Sequence, residues 1–138
     1  MEYLKESVEY GIIGLLLLMS VISLYFFIER IFFYHSVQER NYQNKHKYEN
    51  ALTKHLTPIG TIASNAPYIG LLGTVLAIML TFMTMSEGQI EPTKIMTSLA
   101  LALKATAAGL VVAIISMVLY NILTRIVETK LAHFDEEI

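Results

Sequence analysis

The amino-acid sequence predicts an all-α integral membrane protein with three transmembrane helices, and composition and charge placement together carry that reading. Hydrophobic residues fill 54% of the 138 positions and charged residues only 16%, with a mean hydropathy of +0.52. That is too apolar for an ordinary soluble domain of this length. The charges are gathered at the amino end, in one middle segment, around Glu87 to Lys94, and in the tail. A net charge of −2 leaves no basic excess, so nothing points to nucleic acid. The absence of cysteine removes disulfide frameworks, thiolate metal sites and cysteine nucleophiles together.

Residues 1–10 are expected to form an external amino-terminal segment. The start, MEYLKESVEYG, sets Glu2, Glu6 and Glu9 against Lys5. It lacks the basic start and small-residue cleavage site of a signal peptide, so the first apolar run is expected to be retained. The first transmembrane helix is placed at 11–34. Between Gly11 and Ile28 the only polar side chains are Ser20, Ser23 and the amphipathic Tyr25, and as a helix this run spans about 27 Å, close to a hydrocarbon core.

Residues 35–61 form a short cytoplasmic segment. It is polar and has no Gly or Pro before Pro58, so it is predicted to be largely helical, with the long helices extending into the cytoplasm. The second transmembrane helix (62–86), an external hairpin loop (87–93), the third transmembrane helix (94–124) and a cytoplasmic tail (125–138) complete the chain. The loop is built from the polar SEGQIEPT, short enough to make the last two spans a helical hairpin. Arg40, Lys45, Lys47, Lys54, Arg125 and Lys130 fall on one side and only Lys5 and Lys94 on the other. The positive-inside rule then sets the amino terminus outside and the carboxyl terminus in the cytoplasm, which three spans require.

Small and hydroxylated residues recur at helical spacing in the hairpin: Gly70, Thr74, Ala77 and Thr81 on the second span, and Ala102, Thr106, Gly109, Ala113 and Ser116 on the third. Lipid offers helices no hydrophobic reason to associate, so close approach through small residues is the usual means, and helix packing is the plain reading of both stripes. A threonine adds a hydroxyl that can bond the carbonyl one turn back or turn toward water or a carboxylate. Thr74 and Thr106 lie about 18 Å and about 17 Å along their spans from the hairpin end, near mid-depth.

Two runs carry a likeness to a known family. They are Ala66-Pro67-Tyr68-Ile69-Gly70-Leu71-Leu72-Gly73-Thr74-Val75, and Ala105-Thr106-Ala107-Ala108-Gly109-Leu110-Val111-Val112-Ala113-Ile114 followed by Tyr120-Asn121. In order, spacing and hairpin context they resemble the ExbB/TolQ/MotA group of proton-channel subunits, ExbB and TolQ most of all, and Glu29-Arg30 matches a Glu-Arg pair of that family. The resemblance implies a multi-pass protein of the Gram-negative inner membrane, with a periplasmic amino terminus. It implies a homopentameric ring around the transmembrane helices of ExbD- or TolR-like partners, coupled to a TonB- or TolA-like protein, and it sets Thr74 and Thr106 on the lumen beside the partner's proton-carrying aspartate. Gly70, Gly73, Ala77, Thr81, Ala102, Gly109, Ala113 and Ser116 would serve helix packing. Two departures stand out: the cytoplasmic segment is far shorter than in the best-known members, and Leu101 stands where many carry a glutamate.

Lys104 lies about 14 Å into the third span, where an ammonium needs the interface, water or a carboxylate. It is expected to snorkel toward the headgroups or to pair with a partner subunit or an acidic lipid. Glu29 and Arg30 sit where the first span meets the cytoplasm. Neighbours on a helix point about 100° apart, so they are expected to act as interfacial anchors or to pair with other helices or subunits rather than with each other. Pro67 is expected to be structural, freeing a carbonyl near the cytoplasmic end of its helix. His35, His46, His55 and His133 show no paired metal-ligand spacing and read as solvated surface residues. No enzyme motif is present, and no metal or other cofactor is expected. Spans two and three hold no Asp, Glu or His, so a proton pathway through them would need a carboxylate from another polypeptide. The competing reading is a non-conducting membrane scaffold assembled through the same stripes.

Overall fold

The computed structural model describes residues 2–88 and 91–136, and the described chain is helical almost throughout. Met1, Gln89, Ile90, Glu137 and Ile138 lie outside the described residues, and with them parts of the expected amino-terminal segment, hairpin loop and tail. Helix α1 runs Glu2–Ser36, α2 Lys45–Thr53, α3 Leu56–Glu87 and α4 Pro92–Glu136, with one 3-10 turn at Glu39–Asn41. Helices α1, α3 and α4 are each long and apolar enough to cross a membrane. At 45 residues, α4 is about 67 Å long, more than twice a hydrocarbon core, so much of it projects beyond.

The segment 35–61 does not simply prolong a neighbouring helix. Asn44 caps α2 by accepting the Lys47 N–H at 2.8 Å, which satisfies one of the unpaired donors of the first turn. Helix α2 stops at Thr53, and His55 takes a left-handed backbone (φ 72°), so the chain reverses with neither Gly nor Pro. Histidine is among the few side chains enriched there. Pro58 then falls in the first turn of α3, where a missing N–H is harmless. Pro67, by contrast, lies inside α3, which continues through it to Glu87.

Helices α3 and α4 form the hairpin, and their backbones meet at Gly70 and Gly109. A methyl added at Gly70 would lie 2.6 Å from the Ala105 carbonyl oxygen and 3.0 Å from Gly109 Cα; one at Gly109 would lie 2.6 Å from the Ala66 carbonyl oxygen. Only glycine permits this approach. Helix α1 lies against both: Leu16 packs with Ala66 and Ala113, and Ile12 fills the notch over Gly73, 2.9 Å from where a β-carbon would sit. Lower down, Ser116 donates to Ser23 at 3.0 Å, with both side chains sealed. Hydroxyl pairs between membrane helices contribute about 0.6 kcal/mol on average. Ser23→Ala or Ser116→Ala is therefore expected to lower unfolding stability in detergent by about 0.5–1.5 kcal/mol, and the double variant by no more than the worse single one.

Toward the far end α2 folds back along α4. Tyr34, Tyr48, Leu52, Leu56, Ile59, Leu123 and Val127 make a buried cluster there, and burial pushes the Tyr48 phenol above its ordinary range. Lys45 reaches Asp135 at 2.7 Å and His133 reaches Glu39 at 3.1 Å, two exposed clips on the same junction.

Candidate functional site

The glycine crossing brings the two stripe threonines together. The Thr74 hydroxyl donates to the Ala102 carbonyl at 2.8 Å and also shares a hydrogen bond with the Thr106 hydroxyl. A hydroxyl has one proton. With Thr74's committed to Ala102, Thr106 must be the donor between them, and the Thr106 oxygen keeps its acceptor capacity. Thr74 is 6% exposed and enclosed by the hairpin, whereas Thr106 is half-buried and opens to one side. Of the pair, Thr106 is the more accessible residue and the one whose oxygen is left able to accept.

The stripe residues line the contact. Gly70, Gly73 and Thr81 on α3, and Ala102, Gly109, Ala113 and Ser116 on α4, are buried, while Ala77 is half-buried. Thr81 donates to the Ala77 carbonyl one turn back at 2.9 Å and accepts from Lys5 Nζ at 3.1 Å. Ala66, Ala105 and Ser23 share the packing, although the small-residue stripes do not include them. Ala105 was signalled by its place one turn from Ala102 and Gly109; Ser23 had no comparable signal.

The charged residues depart from expectation. Glu29 and Arg30 do pair with each other: Arg30 Nε and Nη2 each donate to a Glu29 oxygen at 2.6 Å. The helical azimuth argument fails because both side chains are long and Arg30 is 2% exposed, so its planar fork must meet a carboxylate inside the fold. Arg30 Nη1 also donates to the Ala51 carbonyl at 2.8 Å, and its guanidinium lies over the Phe33 ring, 4.3 Å from the centroid. His55 is no free surface residue either. Its ring stacks on Phe26 and its Nδ1 lies 3.2 Å from Glu29. Within this chain Lys104 has a carboxylate partner that the spacing did not suggest: Nζ lies 3.4 Å from Glu9. Among the described residues no group of three His, Cys, Asp or Glu side chains is placed to hold a metal ion.

A close-packed glycine hairpin with a hydroxyl pair at its centre can be compared with known proteins. Residues 28–136 match the family described as the MotA/TolQ/ExbB proton channel family. The chain belongs to that family. It is 53% identical to the biopolymer transport protein ExbB of Aquifex aeolicus over 136 residues, 98% of this chain and 92% of that protein. It is 52% identical to the putative biopolymer transport protein ExbB-like 2 of Helicobacter pylori over 133 residues, 96% of this chain and 89% of that one. With ExbB of Salmonella typhimurium the identity is 41% over 68 residues, 49% of this chain but 28% of that one. The MotA/TolQ/ExbB family is one of transport and channel proteins rather than of enzymes. With three membrane-spanning helices and ExbB relatives, this member is an inner-membrane protein.

Proposed function

We propose that the chain is the channel-forming stator subunit of an ExbB-type complex driven by the proton-motive force, energising TonB-dependent import across the outer membrane. Copies assemble as a homopentameric ring, amino termini in the periplasm and carboxyl termini in the cytoplasm. An ExbD- or TolR-like helix inside the ring supplies a membrane carboxylate. The single observation that carries this reading is the Thr74–Thr106 pair, in which Thr106 keeps an accepting oxygen at mid-depth between two spans, 62–86 and 94–124, that hold no Asp, Glu or His.

A protonated carboxylic acid has one O–H to donate, and a carboxylate has none. An acid carried on a partner helix finds an acceptor in Thr106; once ionised, it finds a donor only by displacing the Thr106 proton from Thr74. The hydroxyl pair therefore distinguishes the two protonation states, and the difference in free energy biases movement of partner against ring. Likeness to ExbB proteins along nearly the whole chain supports the TonB-type role over the TolA-type one.

The test is proton flux into liposomes holding this chain with its ExbD-like partner. Thr106→Val and the Thr74→Val/Thr106→Val double variant keep shape while removing hydroxyls, and each is expected to cut flux at least about tenfold, as loss of one charge-assisted hydrogen bond would. A double variant that assembles and conducts like the wild type would overturn the role given to the hydroxyls, whereas a wild-type complex that assembles and carries no flux would leave the scaffold reading standing.

A further inference from the structure

Helix α1 is not confined beyond the hairpin. Its Ile12 sits over Gly73 and its Lys5 bonds Thr81, so Glu9 lies between them, level with the stretch of α3 that contains Thr74. Its partner Lys104 is two residues from Thr106, about 3 Å along the helix axis. The ion pair is therefore nearly level with the hydroxyl pair, on another side of α4, and residues 5–12 of α1 lie alongside the hairpin where the sequence predicts an external segment.

Here α1 and the hairpin are not sealed by packing. A crevice of 270 Å³ opens between them, with Gly73, Ala77, Ala102 and Ala105 among its small-residue walls and Lys5, Glu6 and Glu9 along α1. Lys5–Thr81 and Glu9–Lys104 hold the helices together beside it. A lone ammonium at such depth is costly, and a lone carboxylate relieves itself by taking a proton. Together the two neutralise each other, and each is stranded if the other is removed.

We infer that Glu9 is a positioning residue for the proton pathway: it neutralises Lys104 from within the same chain, docks the outer half of α1 on the hairpin, and keeps a bare cation from the level of Thr74 and Thr106. The inference rests on the channel reading for its effect on flux, though not for the bridge itself. The charged groups around Glu9 are Lys5 and Glu6 on its own helix and Lys104 on α4.

The bridge predicts an asymmetry that simple loss of packing does not. Glu9→Gln leaves Lys104 as an uncompensated cation, which repels protons. Lys104→Met leaves a carboxyl that becomes neutral by binding one. The experiment uses the full chain with its ExbD-like partner in liposomes, reading proton flux, and the purified oligomer in detergent, reading Tm. Glu9→Gln is expected to cut flux about tenfold and Lys104→Met less than about threefold. The double variant, with no charge stranded, is expected to return to within about threefold of the wild type. Tm should follow the same cycle, lowest for Glu9→Gln and regained in the double variant. Equal losses in the two single variants, or a double variant as poor as Glu9→Gln, would overturn the inference. If the wild type itself carries no proton flux, the channel reading fails, and the Tm cycle alone decides whether the bridge exists.

Discussion

Gly109→Val is expected to keep α3 and α4 from closing into a hairpin, leaving protein that is degraded in cells and unfolds without a cooperative transition in detergent. The reason is what lies opposite. A β-carbon at Gly109 would meet the Ala66 carbonyl oxygen at 2.6 Å and the Gly70 Cα at 2.9 Å, and Gly70 faces the reciprocal clash. All of these atoms are backbone, fixed by helical hydrogen bonds on both sides, so neither side can yield as a side chain would. Even Gly109→Ala forces the helices apart across their whole contact. Overpacking a tight site costs about 1–3 kcal/mol or more, against which alanine recovers only about 1 kcal/mol in helix propensity.

The neighbouring glycines supply the comparison. Gly14 has nothing within 4 Å of an added methyl, and Gly14→Ala is expected to be neutral or slightly stabilising. Gly60 faces the Tyr120 ring at 3.1 Å, a side chain that can swing, so its alanine variant should fall between. Thermal unfolding of the four alanine variants in one detergent checks the order: Gly109 and Gly70 worst, Gly60 intermediate, Gly14 unaffected. If Gly14→Ala were as harmful as Gly109→Ala, close approach within this chain would not be the explanation, since helix propensity favours alanine at both positions.

These glycines also show what the sequence could disclose. The stripes were legible because a helix repeats its faces every three or four residues, and the small residues that let backbones touch are the same ones that interrupt an apolar pattern. The three spans were legible for a simpler reason, since twenty apolar residues have few other uses. The sequence did not disclose where the chain turns between α2 and α3. That reversal rests on His55 in a left-handed conformation, and a histidine there carries none of the signal a glycine would. The partners of the charged side chains escape a spacing argument for a related reason. Helical spacing reports where a Cβ points, whereas arginine, lysine and glutamate reach several ångströms further and settle wherever a partner and a low-cost path allow. Glu29 thus folds onto the adjacent Arg30, and Glu9 crosses to Lys104. The Thr74–Thr106 pairing lay between these extremes: depth along the two spans brought the residues level, but the direction of the hydrogen bonds needed coordinates.

The Glu29–Arg30 pair leads to the second large effect, and it concerns a different part of the molecule. Arg30 is 2% exposed, and its contacts split between Glu29, the Ala51 carbonyl on α2 and the Phe33 ring. Tyr34, one turn on, donates to the Leu52 carbonyl at 2.6 Å. Together these two side chains fasten α2, whose sequence is otherwise polar and contributes only Tyr48 and Leu52 to the buried cluster. Glu29→Gln leaves a buried guanidinium without a counter-charge, a loss of about 3–5 kcal/mol. Arg30→Met should be milder. The Glu29 side chain is about a third exposed and retains His55 at 3.2 Å, so its charge is not stranded, while Met keeps much of the packing. The expected order is therefore glutamine at 29 worse than methionine at 30, with Glu29→Gln/Arg30→Met better than Glu29→Gln alone. The weakness should appear first at α2, because α1, α3 and α4 remain joined through the glycine crossing and the Ser23–Ser116 bond, far from the change. Limited proteolysis reads this directly: Glu29→Gln should be cut in 37–44 under conditions that spare the wild type, while the membrane hairpin stays folded. Cleavage there no faster than in the wild type, or global unfolding with no early cut, would mean that α2 is held by its apolar residues and that the buried arginine is not its fastening.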